Sequence, residues 1–342
     1  MNKETGTANP TILVTAQQML DTFNSKLQKH GFTASKALLC AELFTNNTLD
    51  GIYTHGVYRF PRFIQYINDG LIRIDAEPSL KHKFGGLEQW DGNLGPGPLN
   101  ALHATDMAMK LGREHGIGCV ALANTNHWMR GGSYGWKAAN AGFVFIGWTN
   151  TTAIMPAWGA TDSRLGNNPL VLGLPYKEHA IVLDMAMSQY SYGAMELAQL
   201  KGEKLSVIGG YDAAGQMTND PTAILTSRRP LPIGFWKGAG LSFLLDILAA
   251  ILSGGLSVHE IASREGECAL SQVFIAIDIT KLSNHSGITQ ALDRIIADYR
   301  QSAPEDKKKI TFPGERVLLT RKDNLSNGIS VLKKVWEEIE GL

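Results

Sequence analysis

The sequence predicts an α+β fold, and three observations predict it. Roughly the first seventy residues carry helical periodicity and helix punctuation. The apolar extended runs that follow are not spaced as a βαβαβ series. Two of them, 170–174 and 181–185, are separated only by 175–180. A parallel crossover takes about a dozen residues or more, so this pair must close as an antiparallel hairpin. At 342 residues, 44% hydrophobic and 19% charged, the chain can bury a substantial core and has the length of about two domains.

The elements follow in order. Thr15 and Gln18 form a capping box ahead of Met19, Leu20, Phe23 and Leu27, and Gly31 closes that helix. A second helix is expected over 35–49, ended by Gly51, and Pro61 fits an early helical turn further on. An Ala/Met/Leu-rich helix over 99–115 leads through Gly116 into a strand over 117–123. Further strands are expected at 143–148, 170–174, 181–185 and 273–279, and further helices at 238–252, 288–299 and 329–339. Residues 1–10 read as a loose polar tail and 301–309 as an exposed charged linker. The apolar stretch 241–252 is short for a membrane span and contains Asp246, so it reads as a buried core helix.

Thirty-two basic residues balance thirty-two acidic ones, which argues against a nucleic-acid or anionic-membrane partner and leaves small molecules. The three cysteines, Cys40, Cys119 and Cys268, are widely spaced and read as reduced thiols of a cytoplasmic protein. The N-terminus has no apolar core of a signal-peptide kind.

Gly116-Ile-Gly118-Cys-Val-Ala121 matches the dinucleotide fingerprint only formally. It leaves a helix and enters a strand, the reverse of what would bring a helix N-terminus to a pyrophosphate, and no acidic residue follows before Asp162. It therefore reads as a helix-to-strand turn. Trp236-Lys237-Gly238-Ala239-Gly240 opens an apolar helix, where free N–H groups and Lys237 suit a phosphate or, alternatively, mere close packing. No H-E-x-x-H or His cluster suggests a metal, and G-x-S-x-G is absent.

His55 and Arg59, one helical turn apart, can share a face. Such a pair suits a 2-oxo acid: a guanidinium forks onto the carboxylate while an imidazole, titrating near 6.5 if unperturbed, gives a proton to the carbonyl oxygen. The alternative is a loop-capping His and a solvated Arg. Asn126 and His127 follow a buried-looking strand and are suited to orienting a polyhydroxy substrate, or to stacking under Trp128. Asp184 ends a strand or contacts a cofactor ribose.

The segments Gly51-Ile-Tyr-Thr-His55-Gly-Val-Tyr-Arg59-Phe-Pro-Arg62-Phe-Ile-Gln, Glu88-Gln-Trp-Asp91, His115-Gly-Ile-Gly118, Asn126-His127-Trp-Met-Arg-Gly-Gly-Ser-Tyr-Gly-Trp136 and Phe235-Trp-Lys-Gly-Ala-Gly240 resemble the malate/L-lactate dehydrogenase-like oxidoreductases. The resemblance spans nearly the whole chain. It implies NADH- or NADPH-dependent reduction of a 2-oxo acid, here a sugar-derived one, or else malate, lactate, ureidoglycolate or a cyclic imino acid. It implies a homodimer and a non-Rossmann fold. A helical domain over 1–78, joined by helices of 285–342, would flank a mainly antiparallel cofactor domain over 79–284. Position by position, His55 matches the proton donor, and Arg59 and His127 match substrate-facing residues. Ala180, Ile181, Val182, Leu183, Asp184, Met185, Ala186, Trp236, Lys237, Gly314, Glu315 and Arg316 match cofactor contacts. Many members carry Gly-Thr-Asn-Pro where this chain has Gly166-Asn167-Asn168-Pro169. A rival of another class is a cofactor-binding regulatory protein without chemistry.

Overall fold

A computed structural model describes residues 10–305 and 309–342. The chain begins with β1 (Thr11–Val14), α1 (Ala16–Lys29), α2 (Ala34–Leu49), a 3-10 turn at Tyr53–His55 and α3 (Phe60–Asn68). Next come β2 (Ser79–Phe84), β3 (Leu87–Asp91), α4 (Gly97–His115), β4 (Ile117–Asn126), α5 (Gly132–Asn140), β5 (Phe143–Thr149), the short β6 (Met155–Pro156) and β7 (Ser163–Leu165), β8 (Leu170–Tyr176) and β9 (His179–Met185). A small lobe follows, with α6 (Tyr192–Lys201), β10 (Gly210–Tyr211), β11 (Met217–Thr218) and α7 (Pro221–Ser227). The chain ends with α8 (Trp236–Ser253), α9 (Val258–Ile261), β12 (Cys268–Asp278), α10 (Ile288–Tyr299), α11 (Glu315–Asn327), β13 (Ile329–Leu332) and α12 (Lys333–Gly341).

Seven strands form the central sheet in the order β2-β3-β4-β12-β5-β8-β9. Only β3 and β4 run parallel, with α4 as the crossover between them; every other neighbouring pair is antiparallel. The expected hairpin is present, with β8 and β9 in register from Leu170 opposite Met185 to Tyr176 opposite His179. The fingerprint-like glycines are structural. Gly116 ends α4 at φ 87°, and a Cβ on Gly118 would lie 2.1 Å from the Ala108 carbonyl, so α4 can press onto β4 only over a glycine.

A separate apolar core joins the two ends of the chain. Phe23, Phe44, Phe60 and Phe63 of the first three helices pack with Ile329, Val331, Trp336 and Ile339. Phe60 stacks on Phe23 at 4.2 Å between ring centroids and meets Phe44 edge-on at 5.2 Å. The α1 capping box forms as its sequence requires.

Three expectations change. Residues 329–339 are not one helix. Ile329-Ser-Val-Leu332, with only Ser330 exposed, pairs antiparallel with β1, the partner that a local reading of 329–339 could not see. The expected N-terminal tail lies outside the described residues up to position 9, and Pro10 is held, its carbonyl accepting from Lys333 N–H at 2.9 Å. Helix α8 is not a buried core helix. Gly238, Ala239, Ser242, Leu245, Ala249 and Ser253 are buried, with Ala239, Leu245 and Ala249 in the apolar cluster beneath the sheet, while Phe243, Leu244 and Ile251 are more than half exposed. At 18 residues it is also longer than expected, and by length and composition alone long enough to cross a membrane. Its inner face instead carries polar ties to the fold: Ser242 Oγ donates to the Gly166 carbonyl at 2.7 Å, and Asp246 accepts from Asn150 at 3.0 Å. Helix α10 sits beside the β8–β9 turn, where Asp293 pairs with Lys177 at 2.7 Å and accepts from Tyr176 Oη. Within 301–309, residues 306–308 lie outside the described residues and the rest are largely exposed.

Phe60→Ala removes the ring that links α1, α2 and the start of α3. It is expected to cost about 3–5 kcal/mol of stability in urea unfolding. A loss below about 1 kcal/mol would show that this core does not hold the N-terminal helices together.

Candidate active site

Buried polar residues of α2 set the position of His55. Asn47 Nδ2 donates to the His55 carbonyl at 2.9 Å. Thr48 Oγ1 donates to the Phe44 carbonyl and accepts from Val57 N–H at 2.9 Å. The loop passes so close to α2 that a Cβ on Gly56 would lie 2.2 Å from Thr48 Oγ1. Ser133 Oγ, donating to Asn47 Oδ1 at 2.6 Å, ties the first turn of α5 to the same point. This chain of bonds leaves the His55 ring facing away from α2, toward His127.

The two rings lie nearly parallel, 5.6 Å apart at 17°. His127 Nδ1 accepts from Met129 N–H at 2.9 Å, which puts the ring's proton on Nε2 when it is neutral. Arg59 is the N-cap of α3, and its Nη2 lies 3.3 Å from Glu267 Oε2; Glu267 Oε1 accepts from Thr152 N–H at 3.3 Å. His55, Arg59 and His127 thus come together. Asn126 does not join them. Its Nδ2 is committed to the carbonyls of Leu71, Leu94 and Gly95, so it braces the loop beneath His127 rather than facing either large cavity.

Two cavities meet at the histidines. The first, of about 540 Å³, is lined by Arg59, Arg62, Tyr58, Glu196, Arg264 and Glu267 among others. The second, of about 570 Å³, runs along β9 and the start of α11. Thr54, His55, His127, Thr151, Asn167, Ser191 and Leu197 border both.

Of the residues expected to touch a cofactor, Val182, Leu183, Asp184, Ala186 and Gly314 line the second cavity. The long separation in sequence is closed by Val182 N–H donating to the Pro313 carbonyl, and Gly314, at φ 93°, leaves a Cβ only 3.1 Å from Trp136. Ala180 is wholly buried in the sheet core, and Ile181 and Met185 do not line the cavity. Trp236 and Lys237 are exposed at the start of α8 and line neither cavity. Glu315 is engaged by Arg300 and Lys309, and Arg316 is exposed.

Several residues escaped the sequence reading. Asp50 is shared between Arg130 and Arg321, the latter at 2.6 Å, and so joins α2, the loop before α5 and α11. Arg130 also acts electrostatically on Asp184, whose carboxylate accepts from Gly132 N–H at 2.7 Å. Burial raises the Asp184 carboxyl above its ordinary range against the pull of those two groups. Thr151, Asn167 and Glu267 were not singled out for a role either. Their partners lie far along the chain, as with Arg59 and Glu267, 208 positions apart, so no local motif marks them.

The surroundings move His55 away from the 6.5 of an unperturbed imidazole. Burial first, then His127, Arg59 and Arg130, lower it to about 3 against the opposing effect of Glu267. His127 is held well below its ordinary value by burial, Arg59 and Arg62. Both rings are still part-exposed to the cavities, so whatever fills those cavities also alters their surroundings.

Comparison with known proteins identifies the family and the fold. The sequence profile described as malate/L-lactate dehydrogenase matches residues 14–340. The chain belongs to the malate/L-lactate dehydrogenase family. As a member of that family it is an oxidoreductase using a nicotinamide cofactor. It is 44% identical over 332 residues to a 2,3-diketo-L-gulonate reductase from Citrobacter koseri, covering 96% of this chain and 99% of that one. The malate dehydrogenase structure from Pyrococcus horikoshii OT3 is 27% identical with a TM-score of 0.87, over 98% of this chain and 96% of that one. The malate dehydrogenase structure from Entamoeba histolytica, 24% identical, has a TM-score of 0.91 over 97% of both chains and shares the fold.

The second cavity fits the nicotinamide cofactor of this family. Its volume is in the range of ordinary cofactor sites, the close passage of Gly314 over Trp136 keeps one wall free of a side chain, and Arg130 supplies a cation.

Because the folded protein resists charging His55, the unfolded chain binds more protons between about pH 3 and 6.5, and this contribution to stability is lost as pH falls through that window. In ¹⁵N-resolved NMR, the His55 ring is expected to remain neutral from pH 8 to about pH 5. A His55 titration centred near 6.5 would contradict the geometry.

Proposed function

We propose that this chain reduces 2,3-diketo-L-gulonate to 3-keto-L-gulonate with NADH, or with NADPH as the alternative donor. The observation that carries the reading is the facing pair His55 and His127 at the junction of the two cavities, with Arg59 on one side and β9 with Gly314 on the other. The cofactor, when bound, supplies hydride for reduction and takes it up in oxidation. Arg59 binds the substrate carboxylate through guanidinium donors that Glu267 leaves free. His127 presents its Nε2 proton to a substrate oxygen, and His55 delivers a proton to the carbonyl oxygen as the carbon receives hydride. An anion on Arg59 cancels part of the repulsion that keeps His55 uncharged, so substrate binding favours the proton that the reaction consumes. The sugar acid is favoured over the smaller acids by the identity to the Citrobacter koseri reductase and by a roomy first cavity bearing the hydroxyls of Thr54, Tyr58, Ser191 and Tyr192.

In this reading the cofactor is held without a Rossmann fold, on the β8–β9 side of a largely antiparallel sheet, and the ends of the chain form a helical domain of their own. Three free cysteines agree with a cytoplasmic location. The exposed apolar face of α8 supports a homodimer, and Trp236 and Lys237, which line neither cavity of their own chain, would then serve a cofactor across the subunit boundary.

His55→Ala is expected to lower turnover about 10²–10⁴-fold while NADH still binds, as read by stopped-flow oxidation and fluorescence titration. Near-normal turnover would remove His55 from proton transfer. With wild-type protein, 2,3-diketo-L-gulonate should exceed oxaloacetate and pyruvate in kcat/KM; preference for another acid would leave the chemistry and change the substrate. Phe243→Glu combined with Ile251→Glu is expected to give monomers in sedimentation velocity, whereas an unchanged dimer would place the interface elsewhere.

A further inference from the structure

The first cavity carries a defined charge balance. Arg59, Arg62 and Arg264 line it with Glu196 and Glu267, and among the described residues no other charged side chain lines it apart from the histidines. Burial and the neighbouring arginines push His55 and His127 toward the neutral form, and the arginines of the cavity outnumber its carboxylates by one. A single substrate carboxylate neutralises that excess, and a second would enter a site already balanced. Glu267 is the group that sets this count at the reacting end. It is 13% exposed, lies on Arg59 at 3.3 Å through Nη2, and is fixed by Thr152 N–H. Its charge is thus held beside the arginine that takes the substrate, not free to swing into solvent.

We propose that Glu267 is a specificity-determining residue that restricts this site to monocarboxylate 2-oxo acids and excludes dicarboxylates. The inference rests on the reading that Arg59 receives the substrate carboxylate, but not on which acid is reduced. Like charges brought together in a part-buried cavity oppose binding strongly, and removing one of them relaxes the selection.

Oxamate and oxalate test this directly, being nearly the same shape and differing by one charge. Their dissociation constants are measured on the enzyme–NADH complex for wild type, Glu267→Gln and Glu267→Asp. Wild type is expected to prefer oxamate, and Glu267→Gln to shift the oxamate-to-oxalate ratio toward oxalate by about tenfold or more. Glu267→Asp keeps the charge and is expected to stay within about threefold of wild type. A ratio that does not move in Glu267→Gln, or moves equally in both variants, overturns the proposal and leaves Glu267 as a brace for Arg59. The ratio is read without turnover. Failure of wild type to reduce 2,3-diketo-L-gulonate would thus remove that substrate and leave the charge selection to be judged on its own result.

Discussion

The site depends on the hold that α2 has on the loop after it. Asn47 and Thr48 are buried polar side chains in the last turns of a helix whose other buried positions are Ala37, Cys40, Ala41, Phe44, Thr45 and Leu49. Polar groups at such positions are costly unless bonded, and here their partners are the carbonyl of His55, the N–H of Val57 and the hydroxyl of Ser133. Satisfying Asn47 and Thr48 therefore fixes the loop, and fixing the loop fixes the His55 ring against His127. The aromatic core beneath, centred on Phe60, then sets the start of α3 and with it Arg59. The placement of the His55 ring is thus a by-product of how two elements solve a local hydrogen-bonding problem.

The electrostatics follow from that placement. Burial first, and then the neighbouring charges of Arg59 and Arg130 at His55 and of Arg59 and Arg62 at His127, push both rings toward the neutral form. A site with neutral histidines and surplus arginines is incomplete without an anion. In the proposed mechanism binding and proton supply are coupled, because a carboxylate on Arg59 would offset part of the positive charge beside His55. The second cavity is built by a different constraint, the pairing of the β9 edge with Pro313 and the glycine beside it, which brings residues from the middle and the end of the chain to one wall.

Much of this was legible in the sequence, for physical reasons that differ by element. The α1 capping box follows from local punctuation, α10 from its apolar periodicity, and the β8–β9 hairpin from the short connection alone. His55, Arg59 and His127 stood out because each lies in a polar-and-glycine segment between regular elements. The β13 strand was not legible, because its only partner is β1 at the opposite end of the chain. The α8 surface was misread because an apolar sequence does not reveal which of its faces another element covers. The bracing bonds of Asn126 were not legible because a buried amide bonded to three carbonyls has the same sequence signature as one that faces substrate. The low pKa of His55 arises from groups as distant in sequence as Arg130 and could not be read from its neighbours.

The most direct test is a crystal structure of the protein with NADH and a non-reacting 2-oxo acid analogue. The nicotinamide ring should lie in the cavity walled by Val182, Asp184 and Gly314, and the analogue's carboxylate on Arg59. Its carbonyl-equivalent oxygen should then be within about 3 Å of the His55 ring. An analogue bound away from Arg59, or a nicotinamide on the Arg59 side of the histidines, would contradict the central claim that proton and hydride meet at the junction His55 and His127 define.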